Sequence, residues 1–208
     1  MSAVSAILLA AGESQRMGEI NKLMLAVDGE PLLCRTVKTL LASRLAEVVV
    51  VLGHQAEEAR ILLQRLAVQT VLNRDYREGQ MSSVHCGLAA LTRPCDGVMI
   101  CLSDQPLLTP RDIDDLVDAF ERRAGSIIVP TYRDRRGNPI VLTYAHRAEI
   151  LGGGRNLGCK RLIERNPGLV ATVAMNNDHT VFDLDTPEDY ASLQARLKQE
   201  SVRAAVMS

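Results

Sequence analysis

Near its amino terminus the chain reads Ser5-Ala6-Ile7-Leu8-Leu9-Ala10-Ala11-Gly12-Glu13-Ser14-Gln15-Arg16-Met17-Gly18, and Lys22 follows four residues later. The apolar run at residues 5–9 ends at a glycine-containing loop, which is typical of a buried strand in a parallel sheet. Small residues in such a loop let the backbone approach a ligand, and successive amide groups can surround phosphate oxygens. Arg16 and Lys22 supply positive charge for a polyphosphate. The segment therefore predicts a strand followed by a phosphate-binding loop.

Other glycine-rich motifs fit this segment poorly. A Walker-type phosphate loop needs a glycine, four residues and then Gly-Lys-Ser/Thr, and this order does not occur here. The dinucleotide-binding fingerprint needs a third glycine, which is missing beside Gly12 and Gly18. Arg16 stands where a nucleophile elbow requires glycine. A purely structural turn stays as the alternative, but the two basic residues favour phosphate binding.

The composition restricts the class of protein. A chain of 208 residues fits one large domain or two small ones. The net charge of −1 lacks the basic excess of nucleic-acid-binding proteins, and the aromatic content of 3% argues against base-stacking grooves. The cysteines and histidines are scattered, so we expect no zinc or haem site. Without a long apolar run or a secretory leader, we expect a cytoplasmic protein that binds neither membranes nor nucleic acid.

Strands and helices alternate along the chain. The pattern predicts strands at residues 5–9, 48–52, 68–72, 98–102, 127–129, 139–143 and 170–175, and helices at 57–66, 82–91 and 157–165, with further helices opening at Pro31, Thr109-Pro110 and Thr186-Pro187. Residues 133–137 are predicted to form a turn. Repeated β-α-β units indicate a single three-layer α/β domain with a mostly parallel central sheet. We expect this domain to cover residues 1–198, followed by a frayed tail at 199–208.

Two acidic segments follow predicted strands. Asp104, in Ser103-Asp104-Gln105-Pro106, lies two residues beyond the strand predicted at 98–102, where an acid can hold a divalent metal. The segment Phe182-Asp183-Leu184-Asp185-Thr186-Pro187 is interpreted as a second acidic strand end, whose alternating acids would face the same side. The alternatives are purely structural roles: Asp104 could cap a turn, and Asp185 could complement the dipole of the following helix.

The second half of the chain is locally basic. Between residues 130 and 165 three acids accompany eight basic residues: Arg133, Arg135, Arg136, Arg147, Arg155, Lys160, Arg161 and Arg165. This excess indicates either a solvated surface or a pocket for an anionic second substrate.

Together with Asn21-Lys22-Leu23, the pattern Leu9-Ala10-Ala11-Gly12-x-Ser14-x-Arg16-Met17-Gly18 resembles the signature loop of the molybdenum cofactor nucleotidyltransferases. The similarity is greatest to the cytidylyltransferases and extends to about Tyr190. It implies a glycosyltransferase-A-like, Rossmann-like fold, shared with sugar-phosphate nucleotidyltransferases. It further implies a Mg²⁺-dependent enzyme that joins CMP from CTP to molybdopterin and releases pyrophosphate. A molybdoenzyme or its chaperone would be the protein partner.

The same resemblance assigns roles to individual residues. Arg16, Lys22 and Asp104 would be catalytic, and Asp104 and Asp185 would bind the metal, with Asp183 as the weaker choice. Nucleotide binding would fall to Leu9, Ala10, Ala11, Gly12, Glu13, Ser14, Arg16, Met17, Gly18, Lys22, Gly53, Gly79, Ser82 and Ser83, although the two serines could also be helix caps. Acceptor binding would fall to Arg136, Gly137, Asn138, Pro139, Arg155 and Asn156. Asn138 stands where relatives often have histidine, which argues against proton shuttling there.

Three alternatives remain open. The same transfer could use GTP, or a sugar phosphate or another small phosphorylated acceptor; Ala10-Ala11, where the guanylyl branch tends to have Gly-Gly, favours cytidine. A dinucleotide-dependent oxidoreductase is an alternative of another class, but Gly53-His54 stands where an acid would end the second strand. A non-catalytic binding module is the third alternative, and retention of Asp104, Asp185 and Lys22 argues against it.

Overall fold

The computed structural model describes residues 2–17, 21–122, 125–152 and 159–207. The strands are β1 (Val4–Ala10), β2 (Ala26–Val27), β3 (Glu30–Pro31), β4 (Glu47–Leu52), β5 (Gln69–Leu72), β6 (Gly97–Leu102), β7 (Ile127–Tyr132), β8 (Arg135–Arg136), β9 (Ile140–Thr143) and β10 (Val170–Ala174). The helices are α1 (Leu32–Leu41), α2 (Ala56–Leu63), α3 (Gln80–Ala90), α4 (Pro110–Glu121), α5 (Arg147–Gly152), α6 (Cys159–Arg165) and α7 (Pro187–Met207). Short 3₁₀ helices include Lys22–Met24, Tyr76–Glu78 and His179–Val181.

The central sheet is mixed but mostly parallel, as the sequence predicted. Its strand order is β10-β7-β9-β6-β1-β4-β5, with β8 paired to β7. Leu8 in β1 pairs with Val50 in β4 and with Cys101 in β6, all in parallel register. Antiparallel pairing enters through β9, which runs against both β6 and β7, and through β8. The carboxyl ends of β1, β4, β5 and β6 consequently meet at one edge.

The sheet is covered on both faces. Successive residues of a strand point to opposite faces, so neighbouring positions in β1 enter different hydrophobic clusters. Leu8 and Val50 pack in a cluster with residues of α1, α2 and α4. Ile7 and Val51 pack in a second cluster with residues of α3, α5 and α6. The predicted three-layer α/β architecture is confirmed.

Helix α3 lies unusually close to the sheet. A Cβ atom on Gly87 would come within 2.3 Å of Ile7 Cγ2 and within 3.1 Å of Val51 Cγ2. A contact of 2.3 Å is shorter than real side chains make, so any larger residue would push α3 away from β1. Glycine therefore allows the close packing of α3 on the sheet.

The interpretation of residues 182–185 as a strand end was wrong. In the structure these residues are irregular and follow the 3₁₀ helix His179–Val181. The backbone amide of Leu184 donates to the carbonyl oxygen of Asp104 at 2.8 Å, so it bonds to a loop instead of a neighbouring strand. The side chain of Asp189 accepts from the amides of Asp185 and Thr186 and caps α7. Hydrogen bonds to the loop after β6 and to the capping residue Asp189 therefore satisfy these amides without a sheet ladder.

The structure adds regular elements to two segments, which the sequence analysis predicted as a turn and as a frayed tail. Residues 133–137 form the predicted turn, in which Arg133 and Asp134 adopt positive φ angles of 46° and 65°, followed by the short strand β8. Helix α7 continues to Met207 and so includes most of the segment 199–208. Within the described residues, none of the helices combines the length and the apolar character that a membrane span requires.

Helix α4 begins at the predicted Thr109-Pro110 with a capping box, which a second set of hydrogen bonds extends. Thr109 and Asp112 exchange side-chain and backbone hydrogen bonds at the start of the helix. The buried carboxylate of Asp112 also accepts from Asn177 Nδ2 at 2.9 Å and lies 2.8 Å from His179 Nδ1. Burial alone would raise the pKa of Asp112, but the hydrogen bonds from His179, Asn177 and Thr109 lower it to about 2. Asp112 thus connects α4 to the segment before α7.

Replacement of Asp112 by asparagine should destabilise the fold in a pH-dependent way. A pKa that falls from about 3.9 in the unfolded chain to about 2 stabilises the folded state by about 2 kcal/mol at pH 7. This stabilisation is present above the unfolded pKa and is lost as the pH falls through the folded pKa. In urea denaturation we expect Asp112→Asn to cost about 2 kcal/mol at pH 7 and about half of that at pH 3.

The matched control is Asp115→Asn on the same helix, which should change the free energy of unfolding by less than about 0.5 kcal/mol. A cost of the Asp112 substitution that stays constant between pH 7 and pH 3 would contradict the assignment.

Candidate active site

A cavity of about 280 Å³ opens at the carboxyl ends of β1 and β6. Ligands of open α/β sheets bind at this edge, beyond the ends of the parallel strands. Loops after β1 and β6 and the first turn of α3 surround the cavity. It is lined by Leu9, Ala11, Gly12, Ser14, Lys22, Leu23, Tyr76, Gln80, Ser83, Leu102, Ser103 and Asp104.

The loop after β1 is held by its own side chains. Ser14 adopts a positive φ of 52°, and its hydroxyl accepts from the backbone amide of Lys22 at 3.4 Å. Met17 is buried in a hydrophobic cluster with Leu32 and Leu184, which anchors the loop to α1 and to the segment before α7. Lys22 therefore enters the cavity from a loop that is packed at its base.

Gly53 allows the loop after β4 to pack directly against the first loop. The amide of His54 donates to the carbonyl oxygen of Ala11 at 3.1 Å. A Cβ atom on Gly53 would lie 2.8 Å from Ala11 Cβ, from Ala11 O and from Tyr76 Cβ. The structure thus places Gly53 behind the wall of the cavity, where it keeps Ala11 and Tyr76 in position.

At one end of the cavity the ammonium group of Lys22 lies between two carboxylates. Its Nζ atom is 2.8 Å from Asp104 Oδ2 and 3.0 Å from Asp185 Oδ1. Arg16, largely exposed, places a guanidinium nitrogen 2.7 Å from Asp185 Oδ2. Burial alone would lower the pKa of Lys22, but Asp104 and Asp185 raise it above its ordinary value. Lys22 therefore stays a cation at any physiological pH, with its side chain only 14% exposed.

Asp183 adds a third carboxylate beside this pair. Burial raises its pKa, and the negative charges of Asp104 and Asp185 raise it further. Gln105 opposes this effect because its Nε2 atom donates to Asp183 Oδ1 at 3.1 Å. The same nitrogen donates to the carbonyl oxygen of Thr180 at 2.9 Å. The two acidic segments predicted from the sequence thus meet, and Gln105 connects them.

The donor set has the chemistry of a site for a hard cation, although it is not a ready-made metal cluster. Asp104 Oδ1 is buried and has no hydrogen-bond partner in the described part of the chain. Carboxylate oxygens are the ligands that Mg²⁺ prefers, and this ion usually takes one or two of them and completes its shell with water and phosphate oxygens. Across residues 2–17, 21–122, 125–152 and 159–207 no group of three or more acidic, histidine or cysteine side chains is arranged to hold a metal.

The structure separates the residues predicted to bind nucleotide into two groups. Six line the cavity: Leu9, Ala11, Gly12, Ser14, Lys22 and Ser83. Others lie behind it. Ala10 is buried in the core on the opposite face of β1, and Glu13 forms an ion pair with Arg77. The Ser82 hydroxyl lies within hydrogen-bonding distance of the carbonyl oxygens of Asp75 and Gly79, so it donates within the turn before α3. Gly18 lies outside the described residues.

The predicted acceptor residues are partly described. Arg136 is exposed on β8. Gly137 packs so closely on Thr180 that a Cβ atom would come within 2.2 Å of its carbonyl oxygen, which also accepts from the Asn138 amide at 2.8 Å. Because Gln105 donates to this same oxygen, the loop that holds Gly137 to Pro139 is tied to the carboxylate end of the cavity. Arg155 and Asn156 lie outside the described residues.

Sequence reasoning missed several residues of the site. Gln105 was within a quoted motif, but its amide bonds depend on segments distant in sequence. Asn73 follows β5 at the same edge as Asp104 does after β6, and this position is the signal that could have identified it. Tyr76 and Gln80 line the cavity without any local pattern that marks them.

Residues 6–170 match the family model described as the MobA-like NTP transferase domain. The purine catabolism protein PucB of Bacillus subtilis is 30% identical over 88% of this chain and 92% of its own length. Nicotine blue oxidoreductase of Paenarthrobacter nicotinovorans is 28% identical, with 89% and 93% covered. The molybdenum cofactor cytidylyltransferase of Escherichia coli is 27% identical, with 94% and 98% covered.

Solved structures agree with the fold. A protein from Mycobacterium sp. strain JC1 superposes with a TM-score of 0.81 at 25% identity, covering 94% of this chain and 97% of its own. A nucleotidyl transferase from Methanothermobacter thermautotroptrophicus gives 0.79 at 21%, covering 95% and 99%. A Mycobacterium tuberculosis protein solved in complex with manganese gives 0.75 at 22%, covering 92% and 98%. The expected glycosyltransferase-A-like nucleotidyltransferase fold is confirmed.

Removal of the Lys22 charge should weaken binding of a nucleoside triphosphate. In Lys22→Met the carboxylates lose their buried cation, and a triphosphate loses a charge-assisted contact of about 1.5–3 kcal/mol, which corresponds to roughly ten- to a hundredfold in the dissociation constant. Titration calorimetry with CTP and Mg²⁺ measures this change.

The control variant is Lys38→Met, whose side chain is 57% exposed on α1. It should bind CTP as the wild type does. An unchanged dissociation constant in Lys22→Met, with the fold intact by circular dichroism, would show that Lys22 does not contact the phosphates.

Proposed function

This chain belongs to the MobA-like NTP transferase domain family, and we propose that it transfers CMP from CTP to molybdopterin with release of pyrophosphate. The observation that carries the proposal is the ammonium of Lys22, which lies between Asp104 and Asp185 at one end of the cavity. A relative of nearly equal length that is named molybdenum cofactor cytidylyltransferase supports the choice of nucleotide and acceptor.

The proposed reaction needs positioning and charge neutralisation more than proton transfer. The terminal phosphate of the acceptor attacks the α-phosphorus of CTP, a new P–O–P linkage forms, and the bond to pyrophosphate breaks. The attacking phosphate oxygen is already ionised, so no strong general base is required. Consistent with this, none of the residues that line the described cavity is a histidine or a cysteine.

The basic residues of the first loop act on the triphosphate. Lys22 and Arg16 both contact Asp185, so each can exchange a carboxylate oxygen for a phosphate oxygen over a short distance. Their charges then stabilise the negative charge that grows on the departing pyrophosphate. The backbone from Ala11 to Ser14 borders the same space and offers amide groups to the phosphates.

Asp104 and Asp185 are the residues that would hold Mg²⁺. The two carboxylates converge on one point, and Asp104 Oδ1 is buried without a partner in the described chain. Asp183 lies beside them and is the second choice for a ligand. When bound, the metal would neutralise phosphate charge and orient the α-phosphate for in-line displacement.

The nucleoside would occupy the apolar part of the cavity. Leu9, Ala11 and Leu102 line it, and Ser83 adds a hydroxyl group. Ala10 packs in the core on the other face of β1, so Ala11 is the member of the Ala10-Ala11 pair that borders the space for a base. We propose that this restricted space favours cytosine over guanine.

The acceptor would bind along the loop that contains Arg136, Gly137, Asn138 and Pro139, together with Arg155 and Asn156. The guanidinium of Arg136 is exposed and suits an anionic group. The hydrogen bonds through Thr180 and Gln105 bring this loop to the carboxylate end of the cavity. The finished cofactor would pass to a molybdoenzyme or its chaperone in the cytoplasm.

Two alternatives have observations in their favour. The same site could use GTP, or a sugar phosphate as acceptor, because Lys22 with Asp104 and Asp185 would bind phosphates and Mg²⁺ and would not contact a particular base. A dinucleotide-dependent oxidoreductase is the second, because one relative is named nicotine blue oxidoreductase. Reduction of a dye substrate that depends on NADH, without pyrophosphate release from any nucleoside triphosphate, would favour that alternative.

Substitution of either proposed metal ligand should remove most transferase activity without unfolding the chain. Asp104→Asn and Asp185→Asn each take one negative charge from the metal, and a loss of several kcal/mol of charge stabilisation corresponds to about a hundredfold or more in kcat. Pyrophosphate release at increasing Mg²⁺ concentration is the measurement.

Asp178→Asn serves as a control because Asp178 binds Arg196 away from the cavity, and it should keep wild-type turnover. Near-normal turnover of Asp104→Asn at saturating Mg²⁺ would exclude Asp104 as a ligand.

The choice of substrate can be tested directly. With molybdopterin and Mg²⁺, the protein should release pyrophosphate from CTP well ahead of GTP, because a base pocket rejects a wrong base by leaving its own polar groups unpaired. Equal rates with GTP would contradict the cytidylyl proposal but not the metal site. Release that ignores molybdopterin and responds to a sugar phosphate would contradict the proposed acceptor.

A further inference from the structure

Asn73 is buried at the carboxyl end of β5, and both the oxygen and the nitrogen of its side-chain amide form hydrogen bonds. It is only 5% exposed. Its Oδ1 atom accepts from the backbone amide of Asp75 at 3.0 Å. Its Nδ2 atom donates to Ser82 Oγ at 2.8 Å and to Ser83 Oγ at 3.0 Å. One amide group thus organises the start of helix α3.

The orientation of this amide follows from its neighbours. The backbone N–H of Asp75 can only donate, so the atom that faces it must be the oxygen of Asn73. The two hydrogens of Nδ2 therefore point to the serines, one to each hydroxyl. Ser82 and Ser83 both act as acceptors towards Asn73.

The two hydroxyl hydrogens then have different destinations. The Ser82 hydroxyl lies 2.9 Å from the Asp75 carbonyl oxygen and 2.8 Å from that of Gly79, so it donates within the turn. Ser83 lines the cavity, and among the described residues the hydrogen bond of its hydroxyl is the one that it accepts from Asn73. With a lone pair of Ser83 occupied by Asn73, its hydrogen is left to donate elsewhere, and the cavity that Ser83 lines borders the helix at this point.

Ser83 is bonded to Asn73, which follows β5, whereas Lys22 is paired with Asp104, which follows β6. The strand order β6-β1-β4-β5 separates Asp104, which follows β6, from Asn73, which follows β5. Helix α3 covers β1 and β4, where Ile7 and Val51 pack with its residue Val84. A nucleotide with its phosphates at Lys22 would therefore place its nucleoside towards Ser83.

We propose that Asn73 is a specificity-determining residue, which positions the Ser83 hydroxyl as a hydrogen-bond donor to an acceptor atom of the nucleobase. The proposal rests on the proposed function to the extent that the cavity binds a nucleoside triphosphate. A ring nitrogen or an exocyclic carbonyl oxygen of the base satisfies this donor, whereas a base that offers an N–H group at that position leaves it unpaired.

Reversal of the hydrogen-bond direction tests the proposal. In Asn73→Asp a carboxylate replaces the donor, so Ser83 donates to residue 73 and offers only a lone pair to the base. We expect this variant to weaken CTP binding by about tenfold, as expected for one hydrogen bond. Binding of magnesium tripolyphosphate, which has no base, should stay unchanged. Ser83→Ala should also cost about tenfold for CTP, and Asn73→Asp should add nothing in the Ser83→Ala background.

Asn166→Asp is the matched control, because it introduces the same carboxylate at a residue outside the cavity lining, and it should bind CTP as the wild type does. Asn73→Ala adds no charge and leaves the Ser83 hydroxyl free to rotate. It should weaken CTP binding roughly threefold when Ser83 is present and should not change it in the Ser83→Ala background. This variant carries the test if Asn73→Asp does not fold.

Equal losses for CTP and tripolyphosphate, a loss that persists in the Ser83→Ala background, or unchanged CTP binding would each overturn the proposal. The titrations use whichever of CTP and GTP the wild type binds more tightly. A preference for GTP would therefore contradict the proposed function and leave this test intact.

Discussion

The ion pairs of Lys22 with Asp104 and Asp185 connect three distant parts of the chain. Lys22 follows the first loop, Asp104 follows β6, and Asp185 precedes α7. The backbone hydrogen bond from Leu184 to Asp104 holds the second and third parts together independently of charge. Burial raises the pKa of Asp183, and the negative charges of Asp104 and Asp185 raise it further, whereas the charge of Lys22 lowers it. The buried positive charge of Lys22 therefore stabilises the three neighbouring carboxylates in their ionised form.

The sheet makes this arrangement possible because it places loops from separate units at one edge. Leu8 and Ile7 bury opposite faces of β1, so the strand is fixed from both sides and its carboxyl end is rigid. Functional groups on loops that extend from such a scaffold can be held accurately. Gln105 extends the connection further, from Asp183 to Thr180, whose carbonyl oxygen also holds the loop of Asn138. The carboxylate end of the cavity and the loop proposed to bind the acceptor are thereby physically linked.

Much of the fold was predictable because its determinants are local. The apolar runs of β1, β4 and β6 are interrupted by glycine or polar residues at their ends, and Thr109 with Asp112 marks the start of α4 within four residues. Asp104 could be placed at the site because any residue directly after a central parallel strand lies at the same edge. These inferences need only the periodicity of the sequence and the topology of parallel sheets.

The remainder depended on tertiary contacts. The irregular backbone around Leu184 forms because its partner is a loop eighty residues earlier in the sequence, which no local pattern encodes. Ala10 was grouped with the cavity, yet alternation along β1 places its side chain in the core and leaves Ala11 to line the cavity. The role proposed for Asn73 rests on its hydrogen bonds to Ser82 and Ser83, which form only once α3 packs beside β5.

The central claim is that this cavity transfers a nucleotidyl group to a phosphorylated acceptor. Phosphorus NMR of CTP, molybdopterin and Mg²⁺ with the protein tests this claim most directly. We expect the β-phosphate signal of CTP to disappear while pyrophosphate and a new pyrophosphate-linked dinucleotide appear in equal amounts. Formation of CDP with inorganic phosphate, or CTP that stays intact at any protein concentration, would contradict it.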